Sequence, residues 1–322
     1  MKAEVSVIIP SHNRRAMVGE AIASVLAQCD VSCELIIVDD GSTDGTADAL
    51  ARLAGEACGW SGSVSMQIAE HRENRGVAAA RNTGVALATA PLIAFLDSDD
   101  LWAPGKLKRQ VDFMADHQDC AIAQTGETWM RNGVRVNPGL RHRKRAGDIF
   151  IDSLRTCLLS PSAVILRTAL FRAIGGFDED LDAAEDYDLW LRILARHQAG
   201  IIDEPLVTRR AGHPGQLSAT VQAIDRFRVL ALLKLLAHSD LSLERRAAVC
   251  DVLSEKCRIL ATGLSRRGKV DLAGRVAALT ERAGNWVDGP DAQLVRDLEA
   301  FRPILAIGRR NFCEVSPEVA GF

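Results

Sequence analysis

The chain is 322 residues long and 48% hydrophobic, enough to bury a substantial core in one large domain or in a domain with an appendage. Its 39 basic and 42 acidic residues leave a net charge of −3, which excludes any global field that would draw nucleic acid or an anionic membrane. Eight cysteines, Cys29, Cys33, Cys58, Cys120, Cys157, Cys250, Cys257 and Cys313, lack a C-x-x-C pair or zinc-ligand spacing and read as free thiols of a cytoplasmic protein. Met1 leads directly into VSVII without an apolar leader, and the best later apolar run, 229–237, is far too short to span a bilayer and contains Lys234. No transmembrane segment is expected, and peripheral membrane contact is left open.

Residues 5–9 form an apolar, β-branched run closed by Pro10, and 14–28 then space Val18, Ile22, Val25 and Leu26 at helical intervals. A strand and a helix are predicted, and the alternation repeats as strand 34–38, helix 43–53, strand 64–69, helix 77–88, strand 92–96 and helix 104–117. Such alternation favours an α/β fold, a mostly parallel twisted sheet flanked by helices. After Cys120 a further strand is expected, then a hairpin over 127–136 centred on Asn132-Gly133. The loop 137–147, NPGLRHRKRAG, is basic and turn-rich and receives no role beyond a solvated face. Residues 162–166 read as another strand, Gly175-Gly176-Phe177 as a tight turn, and 187–195 as a helix with an acidic entrance. Beyond about residue 220 the stretches 221–237, 243–264, 270–282 and 291–301 carry helical periodicity. The predicted organisation is one domain over 1–220 and a helical C-terminal region over 221–322, suited to packing or oligomerisation.

The chemistry gathers at strand ends. LIAFLDSDDLW, residues 92–102, runs an apolar strand into Asp97, Asp99 and Asp100, and three carboxylates so placed need a cation or a set of donors to offset repulsion and desolvation. In parallel sheets ligands bind beyond the carboxyl ends of the strands, so Asp39-Asp40 should share that rim. The first strand-to-helix turn, Pro10-Ser11-His12-Asn13-Arg14, carries neither G-x-G-x-x-G nor G-x-x-x-x-G-K-[ST], which disfavours a dinucleotide dehydrogenase or a P-loop nucleotidase. An acidic rim takes a phosphorylated ligand only across a hard divalent cation, Mg²⁺ or Mn²⁺.

Five stretches in order, VSVIIPSHNR at 5–14, ELIIVDDGSTDGT at 34–46, NRGVAAARNTG at 74–84, AFLDSDDLW at 94–102 and GGFDEDLDAAEDYDLWLRI at 175–193, resemble the family 2 glycosyltransferases, whose nucleotide-sugar-binding fold is called GT-A. The resemblance implies metal-dependent sugar transfer, usually with inversion, from a UDP-, dTDP- or GDP-sugar to a hydroxyl on a glycan, a lipid-linked saccharide or a protein. It implies that Asp40 recognises the nucleobase, flanked by Pro10, His12 and Arg14, although Asp39-Asp40-Gly41-Ser42 also suits a turn. Arg75 and Arg81 would steady the diphosphate, and the same residues also suit a helix start with a surface arginine. Asp97-Ser98-Asp99 resembles the D-x-D motif, with Asp99 on the metal, Asp97 on metal or ribose, and Ser98 beside the donor. Asp100 alternatively caps the next segment. His213 resembles a histidine placed near metal and diphosphate. Glu185-Asp186 resembles the acidic pair of the acceptor site, with Asp186 as general base, although acids there also suit a helix N-terminus. Trp102 and Trp190 suit either a sugar face or the core.

No Q-x-x-R-W sequence and no membrane spans accompany these motifs, so the resemblance implies a non-processive enzyme. Two other readings stay open: a nucleotidyltransferase, which would want a Gly-rich basic first loop, and a non-catalytic nucleotide-sugar-binding module.

Overall fold

Strands form where β-branched residues run together and helices where apolar residues recur every three to four positions. The computed structural model describes residues 2–28, 30–57, 64–213, 216, 223–238, 240–289 and 292–305. Along the chain lie β1 (Val5–Ser11), α1 (Val18–Leu26), β2 (Cys33–Asp40), α2 (Thr46–Ala57), β3 (Val64–His71), α3 (Val77–Leu87), β4 (Leu92–Phe95), β5 (Leu101–Trp102) and α4 (Lys106–Asp116). They continue through β6 (Ile122–Arg131), β7 (Val134–Val136), α5 (Phe150–Arg155), β8 (Val164–Arg167), α6 (Thr168–Ala173), α7 (Glu185–Leu194) and β9 (Ala199–Ala211). Four helices follow, α8 (Asp225–His238), α9 (Leu243–Arg266), α10 (Val270–Ala283) and α11 (Ala292–Leu305). The chain divides into one unit of Met1–Ile149, Leu158–Glu179 and His197–Pro214, and a second of Phe150–Cys157, Asp180–Arg196 and Gly215–Phe322. Phe150–Cys157 and Asp180–Arg196, both inside the 1–220 stretch, are thus grouped with the C-terminal helices.

The first unit is built on a mixed sheet of order β3-β2-β1-β4-β8-β6-β9-β5, with β7 on β6. The parallel arrangement expected from the alternation holds for β3, β2, β1 and β4, where Val5 lies opposite both Cys33 and Leu92. It stops at β8, which runs antiparallel to β4 and β6, while β9 pairs parallel to β6 and antiparallel to β5. β1 is buried along its whole length. On one face Val5, Val7 and Ile9 join Val18, Ile22 and Val25 of α1 in the core. Each such side chain contributes about 1.5–3 kcal/mol on burial. On the other face α3 comes so close that a Cβ on Gly84 would lie 2.4 Å from Ile8 Cγ2. The hairpin turns at Asn132 and Gly133, both at positive φ, with Arg131 opposite Val134.

The second unit is helical among its described residues. Ser242 caps α9 by accepting the Arg245 N–H at 3.4 Å, Arg282 of α10 pairs with Asp297 of α11 at 2.8 Å, and the buried Arg226 of α8 donates to the Leu305 carbonyl at 3.0 Å. No helix among the described residues is long and apolar enough to cross a membrane. Cys33, Cys120, Cys157, Cys250 and Cys257 are free thiols. Cys29, Cys58, Cys313 and the first residues of the helix expected at 221 lie outside the described residues.

Candidate functional site

The rim beyond β1 and β2 is tied into one piece by short polar side chains. His12 Nδ1 donates to the Asp40 carbonyl at 2.7 Å, and its Nε2 accepts from the Asn13 side-chain amide at 3.1 Å. Asn13, held at φ +52°, accepts the Thr43 N–H at 2.8 Å and gives its own N–H to Ser42 Oγ at 2.9 Å. Arg14 donates its backbone N–H to Thr46 at 3.0 Å. Asp39 is absorbed in the turn, accepting the Ser42 N–H at 3.2 Å and hydroxyl at 2.5 Å. Pro10 is buried in β1, in register with Val38.

Asp40, the residue singled out for the nucleobase, is buried and accepts three hydrogen bonds: Arg75 N–H at 2.9 Å, Gly76 N–H at 2.8 Å and His71 Nδ1 at 2.7 Å. A carboxylate offers about four lone-pair positions, and these bonds use three of them. Asp40 is therefore also the anchor of the loop that carries Arg75. That loop docks because Gly41 has no side chain: a Cβ there, at φ +64°, would sit 2.5 Å from the Glu73 carbonyl carbon and 2.7 Å from the Asn74 nitrogen. The exposed Arg75 guanidinium meets Glu179 at 3.1 Å, and Gly76 begins α3 at φ +96°.

Beyond β4 the structure brings Asp97, Asp99 and Asp100 together, one carboxylate oxygen of each within 4.8 Å of the others. The buried Arg81 donates to Asp97 Oδ1 at 2.7 Å, and its guanidinium also lies 5.2 Å from the centre of the Phe177 ring. His213 Nε2 is 2.8 Å from Asp99 Oδ2, which brings two expected metal ligands together. Ser98 between them is buried. Asp100 accepts the Ser162 hydroxyl at 2.7 Å and the Arg210 N–H at 3.0 Å, so its carboxylate closes the loop from beneath. Burial and then the Asp97 charge push the Asp99 carboxyl up, against the opposing pull of Arg14 and His213. The same two causes raise Asp100 to about 8. Such crowding is what a divalent cation relieves, and three oxygen donors with an adjacent imidazole fit Mg²⁺ or Mn²⁺.

In the second unit, α7 opens with Glu185, Asp186 and Asp188, preceded by Ala184 at φ +59°. Asp188 is fully engaged, accepting from Arg192 at 2.8 Å and Lys234 at 2.7 Å. Glu185 is buried. Asp186 is partly open, with the Tyr187 N–H at 2.7 Å and the Cys157 thiol at 3.9 Å. Both tryptophans are core residues: Trp190 is buried, and Trp102 donates its indole N–H to the Ser162 carbonyl at 2.8 Å while the Lys106 ammonium sits 3.7 Å from the ring centre.

Sequence reasoning missed His71, Ser162 and Arg210. Pairing explains each. β8 runs antiparallel to β4 with Ala94 opposite Ile165, so continuing the register places Ser162 against Asp97. Likewise Leu101 opposite Thr208 carries Arg210 to the acidic loop. His71 ends β3 in register with Asp40.

This geometry agrees with the comparisons to known proteins. ExoU, a succinoglycan biosynthesis protein of Rhizobium meliloti, is 31% identical over 257 residues, covering 76% of this chain and 73% of its own. The chain spans only 32% of the length of a Rickettsia conorii glycosyltransferase that it matches at 32% identity. Among solved structures, S. aureus TarS 1-349 in complex with UDP superposes with a TM-score of 0.63 at 19% identity, covering 93% of this chain and 90% of that one. A mannosyltransferase of Pyrobaculum calidifontis in complex with GDP-Man and Mn²⁺ gives 0.60 at 17% identity, covering 97% and 89%. The model of glycosyl transferase family 2 matches residues 6–174, the segment that contains the whole rim from His12 to Asp100, and the chain belongs to that family of glycosyltransferases.

Proposed function

We propose that the enzyme transfers a sugar from a nucleotide-diphosphate donor to a hydroxyl acceptor, with inversion and with a divalent cation, in the cytoplasm. The observation that carries this reading is the pairing of Asp97 with Arg81 and of Asp99 with His213 on one loop at the end of β4. Carboxylates there hold a cation, and a guanidinium beside them meets phosphate oxygens. A cation held there would supply charge screening for the diphosphate leaving group. Asp97 and Asp99 would hold it, with His213 as a further ligand, while Arg81 fixes the orientation of Asp97. His12 and Arg14 line the donor's nucleoside side, and the remaining acceptor position of Asp40 takes a base N–H. Asp186 removes the acceptor proton, and what supports it over its neighbours is that Asp188 is neutralised and Glu185 buried. The UDP complex of TarS and the GDP-Man and Mn²⁺ complex of the mannosyltransferase support this donor class and metal.

The test is a thermal-shift screen of UDP-, dTDP- and GDP-sugars with and without Mn²⁺. Ligand at 100 times its Kd should stabilise the native state by about 2.7 kcal/mol, and only with metal present. Full donor affinity in excess EDTA would sink the metal assignment, and release of pyrophosphate in place of a nucleoside diphosphate would sink glycosyl transfer.

A further inference from the structure

The basic loop that the sequence left without a role forms a wall. Residues 138–146 face residues 126–129 of β6 and 201–205 of β9 across a cavity of about 570 Å³. That volume lies within the roughly 300–1,000 Å³ of small-molecule sites.

Its lining combines one aromatic platform with cations. The half-buried Trp129 ring lies 5.1 Å from the His142 ring and 4.8 Å from the Arg209 guanidinium. Trp129 donates its indole N–H to Glu127 at 2.9 Å. The side chain of Glu127 is buried and already compensated, by Lys144 at 3.1 Å, by Arg209 at 3.9 Å and by the Ser160 hydroxyl. Asp203 is the other acid on the lining, while Arg143 and Arg145 stand exposed on the wall. Burial, and then the Arg141 charge, holds the His142 imidazole below its usual range. A flat indole face takes the C–H face of a pyranose, and guanidinium groups take a carboxylate or phosphate on the same ring.

The cavity is tied to the acidic loop through two backbone segments. On β9, Arg209 leans on Trp129 while Arg210 gives its N–H to Asp100 at 3.0 Å. On the turn before β8, Ser160 bonds Glu127 and Ser162 bonds Asp100. A ligand in the cavity therefore rests on the same strand and turn that position Asp100.

We propose that this cavity is an acceptor subsite for a sugar unit carrying a carboxylate or phosphate, an assignment that rests on the glycosyl-transfer reading above. The test uses the full chain and titration calorimetry with tetragalacturonate, with a phosphate monoester of maltotetraose, and with neutral maltotetraose itself. One or both anionic probes should bind, the tighter one identifying the anion, and maltotetraose should bind at least about tenfold more weakly. The double variant Arg143→Ser/Arg145→Ser and the single variant Trp129→Leu should each lose about tenfold or more of that affinity, and the nucleotide-sugar thermal shift of both should match the wild type. Equal binding of maltotetraose, no binding of either anionic probe, or undiminished affinity in both variants overturns the subsite. If the anionic probes bind as described while no nucleotide sugar stabilises the wild type, the transfer reading fails and the cavity assignment survives as a binding site alone.

Discussion

Ser162 serves Asp100 and Asp97 at once: its hydroxyl donates to Asp100 Oδ2 at 2.7 Å and accepts the Asp97 N–H at 3.1 Å. Both groups would lose a partner in Ser162→Ala, at a cost of about 1–3 kcal/mol for a buried polar group left unmet. The midpoint of urea denaturation should fall accordingly, and Mn²⁺ titration followed by the donor's thermal shift should need more metal. An unchanged metal requirement would show that the acidic loop keeps its shape without Ser162.

Gly41→Ala should displace the loop from Glu73 to Gly76, since the added carbon would meet backbone atoms at 2.5 and 2.7 Å and the residue must also keep φ +64°. Destabilisation by more than about 1 kcal/mol is expected, larger than that of a typical surface change. Asp40 then loses the N–H groups of Arg75 and Gly76, so nucleotide affinity should drop together with the melting temperature. Wild-type affinity in a stably folded variant would separate this loop from donor binding.

Glu34 gives the acid limb of stability a defined sign. Partial burial alone would raise its carboxyl, but this is outweighed by hydrogen bonds from Ser6, Thr89 and the Ala90 N–H, which hold it below 4.5. A carboxyl depressed in the folded state contributes stability that is present above its unfolded value and lost as pH falls through the folded one. Glu34→Gln should therefore lower the denaturation midpoint at pH 7, and the gap from wild type should shrink on acidification below 4.5. A gap that stays constant with pH would count against the proposed role of these bonds.

Asp186 and Asp188, two residues apart, should fail in different ways. Asp186→Asn should lower kcat by roughly 10²–10⁴, the contribution of a positioned general base, and leave the donor's thermal shift in place. Asp188→Asn removes the charge that Arg192 and Lys234 share and should destabilise the fold by about 3–5 kcal/mol. Retained turnover in the first variant would remove Asp186 from its role.

The acidic loop, the first turn and the four parallel strands were legible because each is written in consecutive residues: an apolar run and then its polar turn. What stayed hidden depends on partners far away in sequence. β9 was missed because AGIIDEPLVTRRA alternates poorly and contains Pro205, and because its pairing with β6 shifts register near Gly126. β5 has two residues and no periodicity to read. The same limit applied to chemistry. Asp40 was singled out from its neighbours, yet its bonds to His71, Arg75 and Gly76 span 31 to 36 residues and exist only once β3 lies beside β2. Glu127 and Trp129 looked like ordinary hairpin residues, since nothing local announces that Lys144 and Arg209 close over them.

The two bonds on Asp100 have a kinetic side. They close chain loops of 62 and 110 residues, so the acidic loop gains its donors only when Ser162 and Arg210 have both found the sheet. Contacts of such separation incur their loop-closure entropy before they return any stability. As the polypeptide is synthesised, β1, β2, β3 and β4 are all complete before Arg210 emerges, and until then the repelling carboxylates at 97–100 have neither Arg210 nor His213 beside them. The order of the chain therefore separates the synthesis of the scaffold strands from that of the residues that complete the acidic loop.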